Sequence, residues 1–179
     1  MKYPSRKQCF EFYKELDSPP NILKHVSMVN KVAVFLARRL KQKGIEIDFK
    51  LIDRASLLHD LDKWLCLHNK NLIHGDETER ILSKKGYPEI GFYAKQHVSD
   101  HILNTLKTWE EKVISHADRI VIGDKIVTVE QRFEYLNKRY PPKDLKLRKK
   151  TEKSSKDLEN EILSIIKLTP EQLIKKFKN

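Results

Sequence analysis

Apolar residues recur at three- and four-residue intervals along almost the whole chain, and this periodicity limits the fold more than any other feature. Ile22, Val26, Val29, Ala33, Leu36 and Leu40 mark one stripe of a long helix, with Gly44 as its stop. Leu51, Ile52, Ala55 and Leu58 keep the same interval behind Asp48, a residue suited to cap a helix N-terminus. Ile90, Tyr93, Ala94, His97 and His101 line a later helix, and Trp109, Val113, Ile114, Ala117 and Val121 another. Five glycines and seven prolines in 179 residues leave little turn chemistry for a many-stranded β protein. The pattern predicts an all-α fold, a single bundle of roughly eight to nine helices, with no clear strand signal.

The remaining segments fit that frame. A first helix carries Cys9, Phe10, Tyr13 and Leu16 before Asp17-Ser18-Pro19-Pro20 stops it. Trp64 to Asn71 is expected to be a connection, followed by a short helix from Asp76 to Lys85 closed by Gly86 and Pro88. Thr128-Val129-Glu130-Gln131 and Thr169-Pro170-Glu171-Gln172 both have the form of a capping box. The lysine-rich stretch Asp144 to Lys156 has few apolar residues and is expected as an exposed connection or a polar helix start; Leu158, Ile162, Ile165 and Ile166 then resume the helical interval. Residues 1–137 are expected to form the core, and residues 138–179 a basic helical extension packed on it.

The formal net charge of +11 suggests a polyanionic partner, but 13 basic against six acidic residues fall in the last segment, 138–179. No aromatic residues interleave the run Lys143 to Lys156 to stack bases, so nucleic acid is expected to bind weakly if at all. No run approaches about 18 apolar residues, which argues against a membrane span. The N-terminal Arg6-Lys7 is followed by Gln8, Glu11 and Lys14 rather than an apolar core, unlike a signal peptide. Cys9 and Cys66 are too few for a disulfide framework or a thiolate zinc site, and a reducing cytoplasm suits them.

The chemistry lies in the histidines. His25, His59 with Asp60, His74, His97 and Asp118 all fall on faces expected to be buried. Any one of them alone is most simply a hydrogen-bonded core or rim residue. A cluster of imidazoles and carboxylates facing a core needs partners, and a divalent metal is the natural one. Order and context add to this: Ile22-Leu23-Lys24-His25-Val26, then Leu57-Leu58-His59-Asp60-Leu61-Asp62-Lys63, then Ser115-His116-Ala117-Asp118-Arg119. This arrangement resembles the HD-domain superfamily of metal-dependent phosphohydrolases over about Asn21 to Ile122.

The resemblance implies His25, His59, Asp60 and Asp118 as a metal-binding quartet. Its layout is closest to the HD-type hydrolases of dinucleoside polyphosphates, in which His74 and His97 would hold a second ion. Iron, manganese, nickel, cobalt and zinc all suit such ligands. Those hydrolases place a Gly-Ala pair where this chain has Thr78 and Glu79, which bears on how closely that helix packs. The implied reaction is attack of metal-activated water on a phosphoester or phosphoanhydride of a nucleotide or other small phosphorylated compound. Lys63 would neutralise phosphate or leaving-group charge, with an exposed helix-end lysine as the plainer reading. Asp62 would orient a water or protonate the leaving group, or else be solvated. His101, one helical turn after His97, is expected at the pocket rim or on substrate. His116 should face away from Asp118, and His68 should be on the surface. Two alternatives stay open: a di-iron HD-type oxygenase, and a regulatory nucleic-acid-binding protein with a structural HD core.

Overall fold

The computed structural model describes residues 1–98 and 106–177. Helix α1, Arg6–Glu15, opens on a reciprocal capping box of Ser5 and Gln8. Pro20 starts α2, Pro20–Lys41, and Gly44 takes the positive φ (+86°) that ends the following turn. Asp48 caps α3, Phe49–Leu58, accepting from the amides of Lys50 and Leu51 at 2.9 Å each. After the turn at His59–Asp62 the chain forms α4, Lys63–His68, where a connection was expected. That stretch has neither glycine nor proline, and Trp64 and Leu65 pack on the core, so one more turn of helix forms. Helices α5, Asp76–Lys84, and α6, Pro88–Lys95, follow.

Helix α6 stops before His97. The amides of Gln96 and Val98 bond to Tyr93 O and Lys95 O, three residues back, and this tight turn carries His97 beyond the helix. His101 lies outside the described residues. Helix α7, Trp109–Arg119, begins at a Thr108–Glu111 capping box. Within a fold that is otherwise all-α as expected, a small hairpin that gave no clear strand signal in the sequence follows, β1 Val121–Ile122 and β2 Lys125–Ile126, paired Val121↔Ile126 and Ile122↔Lys125. Gly123 at φ +59° makes its two-residue turn.

Helix α8, Val129–Arg139, has the expected capping box. Helix α9, Leu145–Ile166, is continuous from Asp144, whose carboxylate accepts from the Leu147 amide, so the lysine-rich stretch is helix throughout. Its inner face was hidden in the sequence because Thr151 and Ser155, both buried, stand where apolar residues were sought. Their hydroxyls bond to Leu147 O and Thr151 O within the helix, which removes the cost of burying them. Helix α10, Pro170–Lys175, ends the description. Helices dominate the described residues, as the periodicity predicts.

Two apolar clusters form the interior. One joins the far half of α2 (Val29 to Leu40) to α7, α8, α9 and α10. The other joins α1, α3, α5 and α6 to Ile22 and Val26 of α2 and to Ile114. Histidine 25, between Val26 and Ile22, and Asp118, beside Ala117, lie where the clusters meet. No helix among the described residues is long and apolar enough to cross a membrane.

Candidate metal centre

Four imidazoles converge at this seam, and each is held by its Nδ1. His59 donates to Ser56 O at 2.8 Å, His97 to Ala94 O at 2.8 Å, and His25 to Gly123 O at 3.1 Å. His74 donates to Asp62 Oδ1 at 2.6 Å. Carbonyls and carboxylates only accept, so each Nδ1 carries a proton, and each ring in its neutral form presents an Nε2 lone pair inward.

Those lone pairs meet other acceptors. His25 Nε2 lies 3.1 Å from Asp118 Oδ1 and 3.8 Å from Asp60 Oδ2. His59 Nε2 lies 3.7 Å from Asp118 Oδ1 and 3.8 Å from Asp60 Oδ2. On the other side of Asp60, His74 Nε2 and His97 Nε2 stand 2.9 Å apart, at 3.2 and 3.4 Å from Asp60 Oδ1. Both His59 Nε2 and Asp60 Oδ1 are buried without a hydrogen-bond partner among the described residues. An array of acceptors with so few protons among them is stable only around cations, so these residues fit a divalent metal. They fall into two groups that share Asp60: His25, His59 and Asp60, and Asp60, His74 and His97.

The protonation tendencies agree with this. Burial opposes ionisation of Asp60, yet Lys63, His59, His74 and His97 hold its carboxyl well below the usual range. Burial is likewise outweighed at Asp118 by the adjacent imidazoles of His25 and His59 and by the charge of Arg132. His74 is raised to about 9 because Asp60 and Asp62 outweigh its burial, so its Nε2 position favours a positive charge, which a proton supplies when no metal ion does. Its neighbour His97 is lowered to about 4, by burial first and then by the charges of His59 and His74. One cation between the two rings removes that conflict.

The positions of the other expected site residues differ in kind. Lys63 Nζ stands 3.6 Å from Asp60 Oδ1 and 3.3 Å from His74 Nε2, at the site itself. Asp62 has no solvent exposure and no oxygen to spare: besides His74, its Oδ2 accepts from Gly75 N at 2.6 Å and Thr78 N at 3.1 Å. Such a carboxylate neither holds a water nor sits in solvent, and its geometry is that of a residue positioning His74. The third group of potential ligands, Asp62, Cys66 and His74, is weakened by these same bonds, and burial pushes the Cys66 thiol up to about 12. His116 is buried away from both groups, with neither ring nitrogen bonded among the described residues, and burial lowers it to about 3. His68 is exposed and packs on Trp64.

Thr78 and Glu79 prove compatible with close packing. The Thr78 hydroxyl accepts from Asp62 N at 3.1 Å, tying α5 to the His59–Asp62 turn. The close approach of α5 and α6 comes from Gly91, where a Cβ would lie 3.0 Å from Glu79 Cα. Gly75 has φ +89°, and a Cβ there would fall 2.6 Å from Val98 Cγ2, so only glycine lets His74 approach the His97 turn this closely.

One residue at the site escaped the sequence reading. Arg132 of α8 places Nη2 3.6 Å from Asp118 Oδ1. The available signal was an arginine set between Val129 and Phe133, both core residues, one turn after a capping box.

The HD domain family model matches residues 22–166, which include every residue of both groups. An uncharacterized protein of Methanocaldococcus jannaschii, MJ0778, is 28% identical over 133 residues, covering 66% of this chain and 77% of that protein. A tRNA (cytidine(56)-2'-O)-methyltransferase of Picrophilus torridus is 28% identical over 174 residues, covering 87% of this chain. This chain spans about half of that methyltransferase, 48% of its length. No solved structure matches the chain. With the family match covering most of its length and both histidine–aspartate groups, the chain belongs to the HD domain family.

Proposed function

We propose that the protein is a metal-dependent phosphohydrolase acting on a nucleotide or another small phosphorylated compound. The observation that carries this reading is the convergence of four Nε2 lone pairs on Asp60 and Asp118, with Lys63 beside them. His25, His59, Asp60 and Asp118 would hold one divalent ion, and His74, His97 and Asp60 a second. Such ions supply Lewis acidity, which acidifies a water and polarises a phosphoryl oxygen.

The protein's own residues do the remaining work. Asp60 faces both histidine pairs, one oxygen to each, and so ties the two halves of the site together. Lys63 Nζ is placed to donate to a phosphoryl or leaving-group oxygen and to offset its negative charge. Asp62 holds the His74 proton on Nδ1. Residues 138–179 would serve as a basic extension packed on the core, since Leu158, Ile162 and Leu173 share its first apolar cluster.

The test is phosphate release from nucleoside mono-, di-, cyclic and dinucleoside polyphosphates with added iron, manganese, cobalt or nickel, alongside metal analysis of the purified protein. Release that requires metal and is lost in D60N supports the reading. Metal-free protein with no release on any of these compounds refutes it, and oxygen uptake by the iron form would point to the oxygenase instead.

A further inference from the structure

Arg132 leaves α8 from a helix face fixed by its neighbours, since Val129 and Phe133 are both set in the first apolar cluster. The backbone closes just upstream, where Val127 N bonds to Ile120 O at 2.9 Å and brings α8 back alongside α7. Its guanidinium therefore reaches Asp118 from a rigid base, with 16% of the side chain exposed.

An arginine with a purely structural role uses its donors. Arg119, on α7, does so: Nε bonds to Ser155 Oγ at 3.1 Å, and Nη1 to His97 O at 3.0 Å, Ser115 O at 3.1 Å and Ser115 Oγ at 2.8 Å. Arg132 makes no side-chain hydrogen bond among the described residues. Its one carboxylate contact, 3.6 Å, is longer than the roughly 2.7–2.9 Å of a charge-assisted hydrogen bond. On the other side of the acceptor array, Lys63 stands 3.6 Å from Asp60. The site thus has a cation beside each of its carboxylates, one a point charge and one a planar fork.

Resting on the phosphohydrolase reading, we propose that Arg132 binds substrate: its free donors grip two unesterified oxygens of a phosphoryl group, opposite Lys63. The preferred substrate class is then a phosphomonoester or a terminal phosphate, whose three unesterified oxygens leave one for Lys63 beside the two held by the fork, over an internal diester, which has only two in all.

The test uses the full chain loaded with manganese and compares R132Q and R132K with the parent. Inorganic phosphate is titrated calorimetrically, and metal content, Tm and steady-state hydrolysis are measured in parallel. The expected result for R132Q is phosphate affinity and kcat/KM lower by about 10–100-fold, mostly through KM, with metal content and Tm as in the parent. R132K, which keeps the charge and loses the fork, should fall between, and it carries the test if R132Q does not fold. Unchanged phosphate affinity in the variants overturns the proposal. So does a loss of metal that parallels the loss of phosphate, which would make Arg132 a support for Asp118. An active parent with indistinguishable variants sinks Arg132 alone, whereas a parent that neither binds nor releases phosphate sinks the phosphohydrolase reading with it.

Discussion

Replacing Asp62 by asparagine keeps the shape of the side chain and changes which atom of His74 carries a proton. The carboxylate accepts from three donors, His74 Nδ1, Gly75 N and Thr78 N. The two amides cannot reverse, so the single carboxamide oxygen stays with them and the NH2 group turns to His74. The ring must then accept at Nδ1, which moves its proton to Nε2, pointing at Asp60 Oδ1 and His97 Nε2. Weakening three charge-assisted bonds to neutral ones costs about 2 kcal/mol in all, which for a chain of this size lowers Tm by about 4–8 °C. The effect on metal is larger: a ring with Nε2–H has no lone pair to offer, so affinity in the His74–His97 half should drop at least about 10–100-fold. Metal analysis after dialysis, a thermal melt and 15N NMR of the His74 ring read these three effects separately. A D62N protein with full metal content and an unmoved His74 proton, yet no hydrolysis, would refute the argument and return Asp62 to the chemistry itself.

Other substitutions test other parts of the site and core. G75A should destabilise by about 2–4 kcal/mol in urea unfolding, since it combines a positive φ with a 2.6 Å approach to Val98 Cγ2. Chelation should lower Tm, and adding back metal should restore it, because buried acceptors at His59 Nε2 and Asp60 Oδ1 then lack a cation. Glu159 is pushed up to about 7, by burial first and then by Glu130 and Glu171. The folded state therefore keeps this proton longer than the unfolded chain, whose value is near 4.5, and stability drains away as pH rises from about 4.5 to 7. After allowance for residual solvent screening, E159Q should be more stable than the parent by about 1–2 kcal/mol at pH 8, and equal to it at pH 4. Equal melts at pH 8 would show that the carboxylate is better solvated than its surroundings suggest.

The helical frame was legible because its residues obey one interval, and the His59–Asp60 doublet stood out because the residues before it are apolar. His74 and His97 were recognisable by their order along the chain, although His97 belongs to a turn and not to a helix face. What stayed hidden has a common physical cause. Thr151 and Ser155 face the core through hydroxyls bonded to their own helix, so hydrophobicity gave no sign of that face. In sequence Asp62 reads as either a catalytic or a solvated residue, and only the return of α5 supplies the donors that bury it. Arg132 reaches the site because a two-residue hairpin turns the chain back, a feature too short for any periodicity to show.

The carbonyls that orient two of these histidines belong to the last turns of helices. Ser56 O, near the end of α3, holds His59, and Ala94 O, near the end of α6, holds His97, each three residues back along the chain. Helix ends are where carbonyls lack a successor amide, so the stopping point of each helix also sets the proton position on its histidine. A substitution that lengthened α3 or α6 by a turn, without touching any residue of the site, would redirect those carbonyls and leave the rings free to choose the wrong tautomer. Helix length therefore governs how these two rings present their Nε2 atoms, and on the proposed reading mutations at helix ends would change activity from positions that contact neither metal nor substrate.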